Sequence, residues 1–252
     1  TGGTERVVID SDGITVSSGL INGVGIKYNI TNFSNSLLIS NDAGTGTLSS
    51  ASNNTGLGHQ AFNNLTSGDD NTAMGTNSMF ANTTGSDNTG VGLSSLNANT
   101  TGDNNTAVGS GALAANTTAN ANIAIGSDAL NDNTTGALNV AIGTYALDTN
   151  TTAERNTAIG YAAMDANTEG QYNTAVGANA LDANTTASYN TTVGYRSLGA
   201  NTTGSENTAI GADAGLSITT GSYNVAMGYR ALDTNTTGNY NVAIGRRALD
   251  DL

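Results

Sequence analysis

Apolar positions along this chain follow two periods at once, one of two residues and one of 17. From Asn54 onward, an Asn precedes three residues of which the first and third are Thr or aliphatic and the second is small, as in Asn139-Val140-Ala141-Ile142. A Gly closes each stretch. The unit returns without insertion at Asn71, Asn88, Asn105, Asn122, Asn139, Asn156, Asn173, Asn190, Asn207, Asn224 and Asn241. Short alternation predicts a strand, and self-similarity at a fixed period predicts a repeat architecture. The consensus reads N-T-A-V-G-x-x-A-L-x-A-N-T-T-G-x-x, and residues 54–252 hold eleven complete copies and one of twelve residues.

A two-helix repeat needs more than about 30 residues and a leucine-rich repeat at least about 20. Seventeen allow one small coil: a strand, a corner, a second extended or turned segment, and a return. The predicted fold is all-β, a parallel β-solenoid or β-roll of twelve 17-residue coils. At roughly 4.8 Å per coil it makes a rod of roughly 60 Å. The glycines at position five, Gly58 to Gly245, suit a corner of positive φ or of close backbone approach. The Gly or Ala at position fifteen suits a second corner. Asn at positions one and twelve predicts stacked amide ladders, with a hydroxyl ladder of Thr at position thirteen. The same Asn-Thr-Thr triplets fit N-glycosylation acceptors, but the register explains them fully.

A degenerate coil precedes the regular ones. Ser36-Leu37-Leu38-Ile39-Ser40 aligns with Asn54–Gly58 at a distance of 18, and Ala43 falls where Ala61 does. Before it, Glu5–Asp10 and Ile14–Ile21 read as short strands joined through Asp12-Gly13. Asn22-Gly23 then marks a hairpin turn into Val24–Ile30. The chain therefore divides into a β-rich N-terminal segment, 1–35, and a repeat domain, 36–252, with the degenerate coil at 36–53 and regular coils over 54–252.

Position three is Ala in nine coils, Gly at Gly56 and Gly90, and Thr at Thr192. A column held so small is buried. Positions two and four share the opposite face of the strand, and a coil this thin encloses one core, so position three is expected to pack against a partner outside the coil. The simplest partner is a second copy of the rod. On this reading Ala141→Arg breaks assembly, while Thr144→Arg in a variable corner column is tolerated.

Composition narrows the chemistry. Asn, Thr and Gly number 36, 39 and 33, charged residues make up 11%, and Pro, Cys and Trp are absent. A globular domain carries about 25% charged residues. Without cysteine there is no disulfide framework or thiol nucleophile, and the single His59 sits in a variable corner column and reads as a surface residue. The net charge of −13 argues against nucleic acid and anionic membrane surfaces as partners. No apolar run approaches a membrane span, and no cofactor is implied. Any secretion signal or anchor is expected outside this sequence, whose final repeat stops at Asp250-Asp251-Leu252 as a fragment or processed product would.

Three candidate sites remain. Gly56-Leu57-Gly58-His59-Gln60-Ala61 fits G-x-G-x-x-A, but its Gly58 and Ala61 are ordinary repeat positions with no βαβ unit around them. Asp148, Asp165 and Asp182 share position ten on consecutive coils, and Asp233 and Asp250 repeat it. Stacking puts neighbours about 5 Å apart, near the carboxylate spacing of retaining glycosidases. A uniform rod is expected to offer no cleft that raises one carboxyl, so solvated corner residues are the first reading and a weak calcium site the second. The third candidate is aromatic. Tyr161, Tyr195 and Tyr229 share position six on alternate coils, and Arg196 and Arg230 follow two of them. Such a stripe suits a glycan, with rings on sugar faces and guanidinium donors on hydroxyls. Tyr172, Tyr189, Tyr223 and Tyr240 share position seventeen, where stacking against the corner is an alternative role.

The motifs Asn139-Val140-Ala141-Ile142-Gly143 and Asn241-Val242-Ala243-Ile244-Gly245 resemble the S-V-A-I-G head repeats of trimeric autotransporter adhesins. The whole unit also resembles repeats of phage tail-fibre proteins, and Gly3–Gly13 is similar to a short element preceding fibre domains there. The resemblance implies a left-handed β-roll, a homotrimer, an extracellular place on a virion or bacterial surface, and attachment to a cell-surface glycan or protein receptor without catalysis. The 17-residue unit is longer than the usual head repeat, and no heptad stalk or anchor barrel accompanies it. The alternatives are an ice-binding solenoid, from the recurring Asn-Thr-Thr, and a glycan-degrading tail spike.

Overall fold

The computed structural model describes residues 8–10, 13–15, 20–21, 24–30, 33–40 and 47–250. The expected turns at Asp12-Gly13 and Asn22-Gly23 and the alignment of Ala43 fall wholly or partly outside them. Strand β1 (Val8–Asp10) pairs antiparallel with β2 (Gly13–Thr15). Strands β3 (Leu20–Ile21), β4 (Val24–Ile30) and β5 (Phe33–Ser40) form an antiparallel meander. β5 then becomes the first rung of a parallel ladder, with Leu37 opposite Thr55 and Ile39 opposite Leu57, the 18-residue offset read from the sequence. The short β6 (Ala51–Ser52) pairs with the start of β5. From β7 (Thr55–Leu57) to β18 (Val242–Ile244), three-residue strands recur every 17 residues and pair in parallel in perfect register. The protein is a β-solenoid.

Its interior reverses the expected facing of the strands. Ala73, Ala107, Ala124, Ala141, Ala158 and Ala175 at position three are fully buried within the single chain. They point into the coil, against the buried Ala or Ser at position eight and Leu, Met or Phe at position nine, as Ala141 clusters with Ala146 and Leu147. Positions two and four face outward. The small column therefore needs no external partner. It is small because a coil this thin must seat a large side chain opposite. At two coils the column shrinks to Gly because its neighbours crowd it: a Cβ on Gly56 would stand 2.6 Å from the Leu38 side chain and 2.9 Å from the Phe62 ring, and one on Gly90 would stand 2.8 Å from the Ser78 hydroxyl. Ala141→Arg would accordingly break the fold rather than an assembly contact.

Polar ladders line the rest of the interior. The Asn105 carboxamide accepts the main-chain N–H of Asn122 at 3.0 Å and donates to the Ala119 carbonyl at 2.8 Å. That carbonyl also receives the Asn116 amide at 3.1 Å, and Asn116 donates to Asn99 of the preceding coil at 2.8 Å. Each coil thus ties its own two amide columns to one carbonyl at position fifteen while linking to its neighbours. Thr117 at position thirteen donates its hydroxyl to the Thr134 carbonyl at 3.1 Å, as Thr100 and Thr134 do to the coils that follow them. Two coils depart from this, coil 54–70 with the buried Leu65 at position twelve and, more extensively, coil 207–223. Gly215 replaces the Leu of position nine, and Ile218 replaces the Asn of position twelve and fills the vacated space. The Asn201 carbonyl oxygen below it, deprived of its donor, is buried without a hydrogen bond.

The corners hold what the sequence did not disclose. Position five has positive φ, 138° at Gly160, where a Cβ would sit 2.5 Å from the Gly177 carbonyl oxygen of the next coil. Positions seven, nine and seventeen are also left-handed although almost none is Gly: Tyr145 and Leu147 have φ of 59° and 53°, and Tyr172 of 58°. Main-chain bonds between coils hold them there. Tyr145 donates its N–H to Ser127 on one side at 3.1 Å and Leu147 to Ala163 on the other at 3.0 Å. Position fifteen, the expected second corner, is not left-handed, and small residues stand there because neighbours approach closely: a Cβ on Gly136 would stand 2.6 Å from the Asn133 side-chain oxygen.

Candidate binding surfaces

Three exposed surfaces run along the rod. The first is the outer face of the ladder. Position four presents Leu57, Met74, Val108, Ile125, Ile159, Val193, Ile210, Met227 and Ile244 to solvent, and Val91, Ile142 and Val176 complete the column half-buried. Position two beside it holds two runs of four Thr, each followed by two aliphatic residues. Eleven intervals of about 4.8 Å give the strip a length of about 53 Å, and its two columns lie about 7 Å apart, so it approaches the few hundred Å² that marks an interaction patch on a soluble protein.

The second surface is the acidic column. Asp148 is pushed up to about 6, first by desolvation and then by the charges of Asp165, Asp132 and Asp128. Asp165 is raised by burial and by Asp182, and Asp182 by burial, against which hydrogen bonds from Asn179 and Ala183 work. The expectation that a rod without a cleft leaves these carboxyls unperturbed is thus corrected: stacking alone half-buries them and sets like charges in adjacent coils. Among the described residues no three acidic or histidine groups converge to hold a metal ion. His59 is exposed at its corner.

The third surface is aromatic. Tyr161, Tyr195 and Tyr229 are exposed at position six on alternate coils, as their register requires. The Arg196 guanidinium lies 5.9 Å from the centre of the Tyr195 ring. Arg230 turns away, donating its Nε–H to Asp233 at 2.6 Å, and Arg246 of the next coil takes its place over Tyr229 at 5.9 Å. Tyr145, at position seven, meets Tyr161 edge-on at 6.1 Å. Position six is therefore a line of separate aromatic and cationic pairs.

Position seventeen is more continuous. Tyr172 and Tyr189 stack at 5.0 Å with rings 4° from parallel, and Tyr223 and Tyr240 at 4.9 Å and 5°. Arg155, one coil before, lies 5.5 Å over the Tyr172 ring and donates to its hydroxyl at 3.1 Å. Glu206 occupies the coil between the two pairs and accepts a hydrogen bond from the Tyr223 hydroxyl, which holds that phenol above its ordinary value. The sequence placed these tyrosines in one column. It gave no sign that left-handed backbone turns them all outward on adjacent coils. No known protein family, curated protein or solved structure matches the chain.

Proposed function

We propose that this chain is a rigid, non-catalytic segment of an extracellular adhesive fibre, on a virion or bacterial surface, and that it assembles as a homotrimer through the outer face of its ladder. The observation that carries this reading is the unbroken apolar column at position four, exposed on a chain whose other outward positions are largely Thr, Asn, Ser and charged residues. Evenly repeated Val, Ile, Leu and Met are costly to leave in water, and three narrow sheets set around an axis enclose them in one seam. The resemblance to adhesin head repeats supplies the number three. Position six and the half-buried carboxylates lie off this face, free for a glycan or protein receptor.

Light scattering tests the assembly directly. A trimer near 75 kDa is expected, three times the 25.1 kDa chain, and Ile142→Lys with Ile159→Lys should reduce it to monomer with the fold intact. A monodisperse monomer of the unaltered protein overturns the reading.

A second reading rests on the same face. It is a regular parallel sheet with Thr at position two in eight coils, Thr157, Thr174, Thr191 and Thr208 consecutively. On this second reading the ice-binding array is the ladder rather than Asn-Thr-Thr, whose first Thr hydroxyls are bonded to the next coil. Thermal hysteresis by the monomeric variant's parent, lost in Ile142→Lys with Ile159→Lys, would favour ice over assembly.

A further inference from the structure

The column at position seventeen reads, coil by coil, Arg155, Tyr172, Tyr189, Glu206, Tyr223, Tyr240. Within each tyrosine pair one face of each ring is covered by the other ring. The outer face of Tyr172 is covered as well, by the guanidinium of Arg155. The remaining faces of Tyr189 and Tyr223 look toward the coil of Glu206, where the chain supplies a carboxylate in place of a ring or a cation. Two coils separate these rings, about 9.6 Å along the rod. A cation midway would lie about 4.8 Å from each ring centre, inside the 6 Å reach of cation–π attraction.

We propose that the coil of Glu206 is a binding slot for an organic cation of the quaternary ammonium class, with the Tyr189 and Tyr223 rings on either side and the Glu206 carboxylate as counter-ion. Arg155 over Tyr172 is the internal precedent: a tyrosine of this same column already holds a cation on its open face. The Glu206 carboxylate interacts with the Tyr223 phenol, which places the negative charge close to the slot. Both rings are accessible, Tyr189 at 58% and Tyr223 at 45% exposure. The width selects the class. A flat guanidinium stacked at about 3.5–4 Å contacts one wall only, whereas a trimethylammonium group of roughly twice that thickness touches both. The chain's charge of −13 adds a field that draws cations toward the slot. The slot is separate from the position-four column and does not depend on self-association.

Choline chloride titrated into the whole protein is the test. With no Trp in the chain, tyrosine fluorescence reports binding directly, and ring signals in NMR assign it to Tyr189 and Tyr223. A dissociation constant on the order of 1 mM is expected for two ring contacts and one exposed ion pair. Glu206→Tyr completes the stack with a residue its neighbours show to fit that backbone, and should weaken binding at least tenfold. Glu206→Gln keeps the shape and should weaken it several-fold. The neutral isostere 3,3-dimethyl-1-butanol should bind far more weakly. Full affinity in either variant, equal binding of the isostere, or tighter binding of guanidinium than of choline overturns the proposal.

Discussion

The Asn column at position one and the Asp column at position ten are built by the same rule and behave oppositely. Both set identical side chains on successive coils. A carboxamide donates and accepts, so each Asn answers the next: Asn139 offers its oxygen to the Asn156 N–H at 2.9 Å and its amide to the Ala153 carbonyl at 2.8 Å. A carboxylate only accepts. Asp148 and Asp165 are therefore raised first by the burial that stacking imposes and then by the next carboxylate, and Asp182 by burial. Perfect register rewards side chains that are their own partners and penalises those that are not. The same rule accounts for a chain rich in Asn and Thr with only 11% charged residues.

The largest effect should come from making the inner column resemble the outer one. Asn122→Asp keeps the shape, removes the amide that donates to Gly136 at 2.9 Å, and buries a charge. It should cost about 3–5 kcal/mol in urea or thermal unfolding at neutral pH. Repairing the other amide column, at position twelve, where Ile218 interrupts it should give a gain. Gly215→Leu with Ile218→Asn restores the consensus of that coil and gives the Asn201 oxygen its missing donor. About 1–2 kcal/mol of stabilisation is expected, since an unsatisfied buried acceptor costs about that much. The smallest effect belongs to the outer column and depends on pH. The folded-state pKa of Asp148 is raised from 3.8 to about 6, so its favourable contribution is present below about 3.8 and lost as pH rises through about 6. Asp148→Asn should thus add about 1 kcal/mol at pH 8, reduced by solvent screening at a partly exposed site, and almost nothing at pH 3.5. A variant that gains equally at both values would show that the Asp148 carboxyl is not raised in the folded chain.

Much of this was legible from register alone. A strict 17-residue period fixes which residues stack, so the parallel ladder, both amide columns and the 18-residue step at Leu37 could be read directly. Alternation could not say which strand face is inside. It groups Val140 with Ile142 and sets Ala141 apart, yet only the size of Leu147 across the coil decides that Ala141 is the inner residue. The left-handed corners were invisible for a different reason. Gly normally signals such a backbone, but here Tyr, Leu and Arg adopt it under bonds from neighbouring coils, which no single repeat encodes. The tyrosine stacks and the slot beside Glu206 follow from those corners.

One consequence of the insertion-free ladder is mechanical. Tension along the rod meets a row of equal latches in series, each 17-residue coil bonded only to those above and below. The terminal coil peels first, and its departure exposes another of nearly the same strength. Each event turns about 5 Å of rod into roughly 58 Å of slack chain. The molecule would lengthen in even steps at a nearly constant load, as a ratcheted tether does.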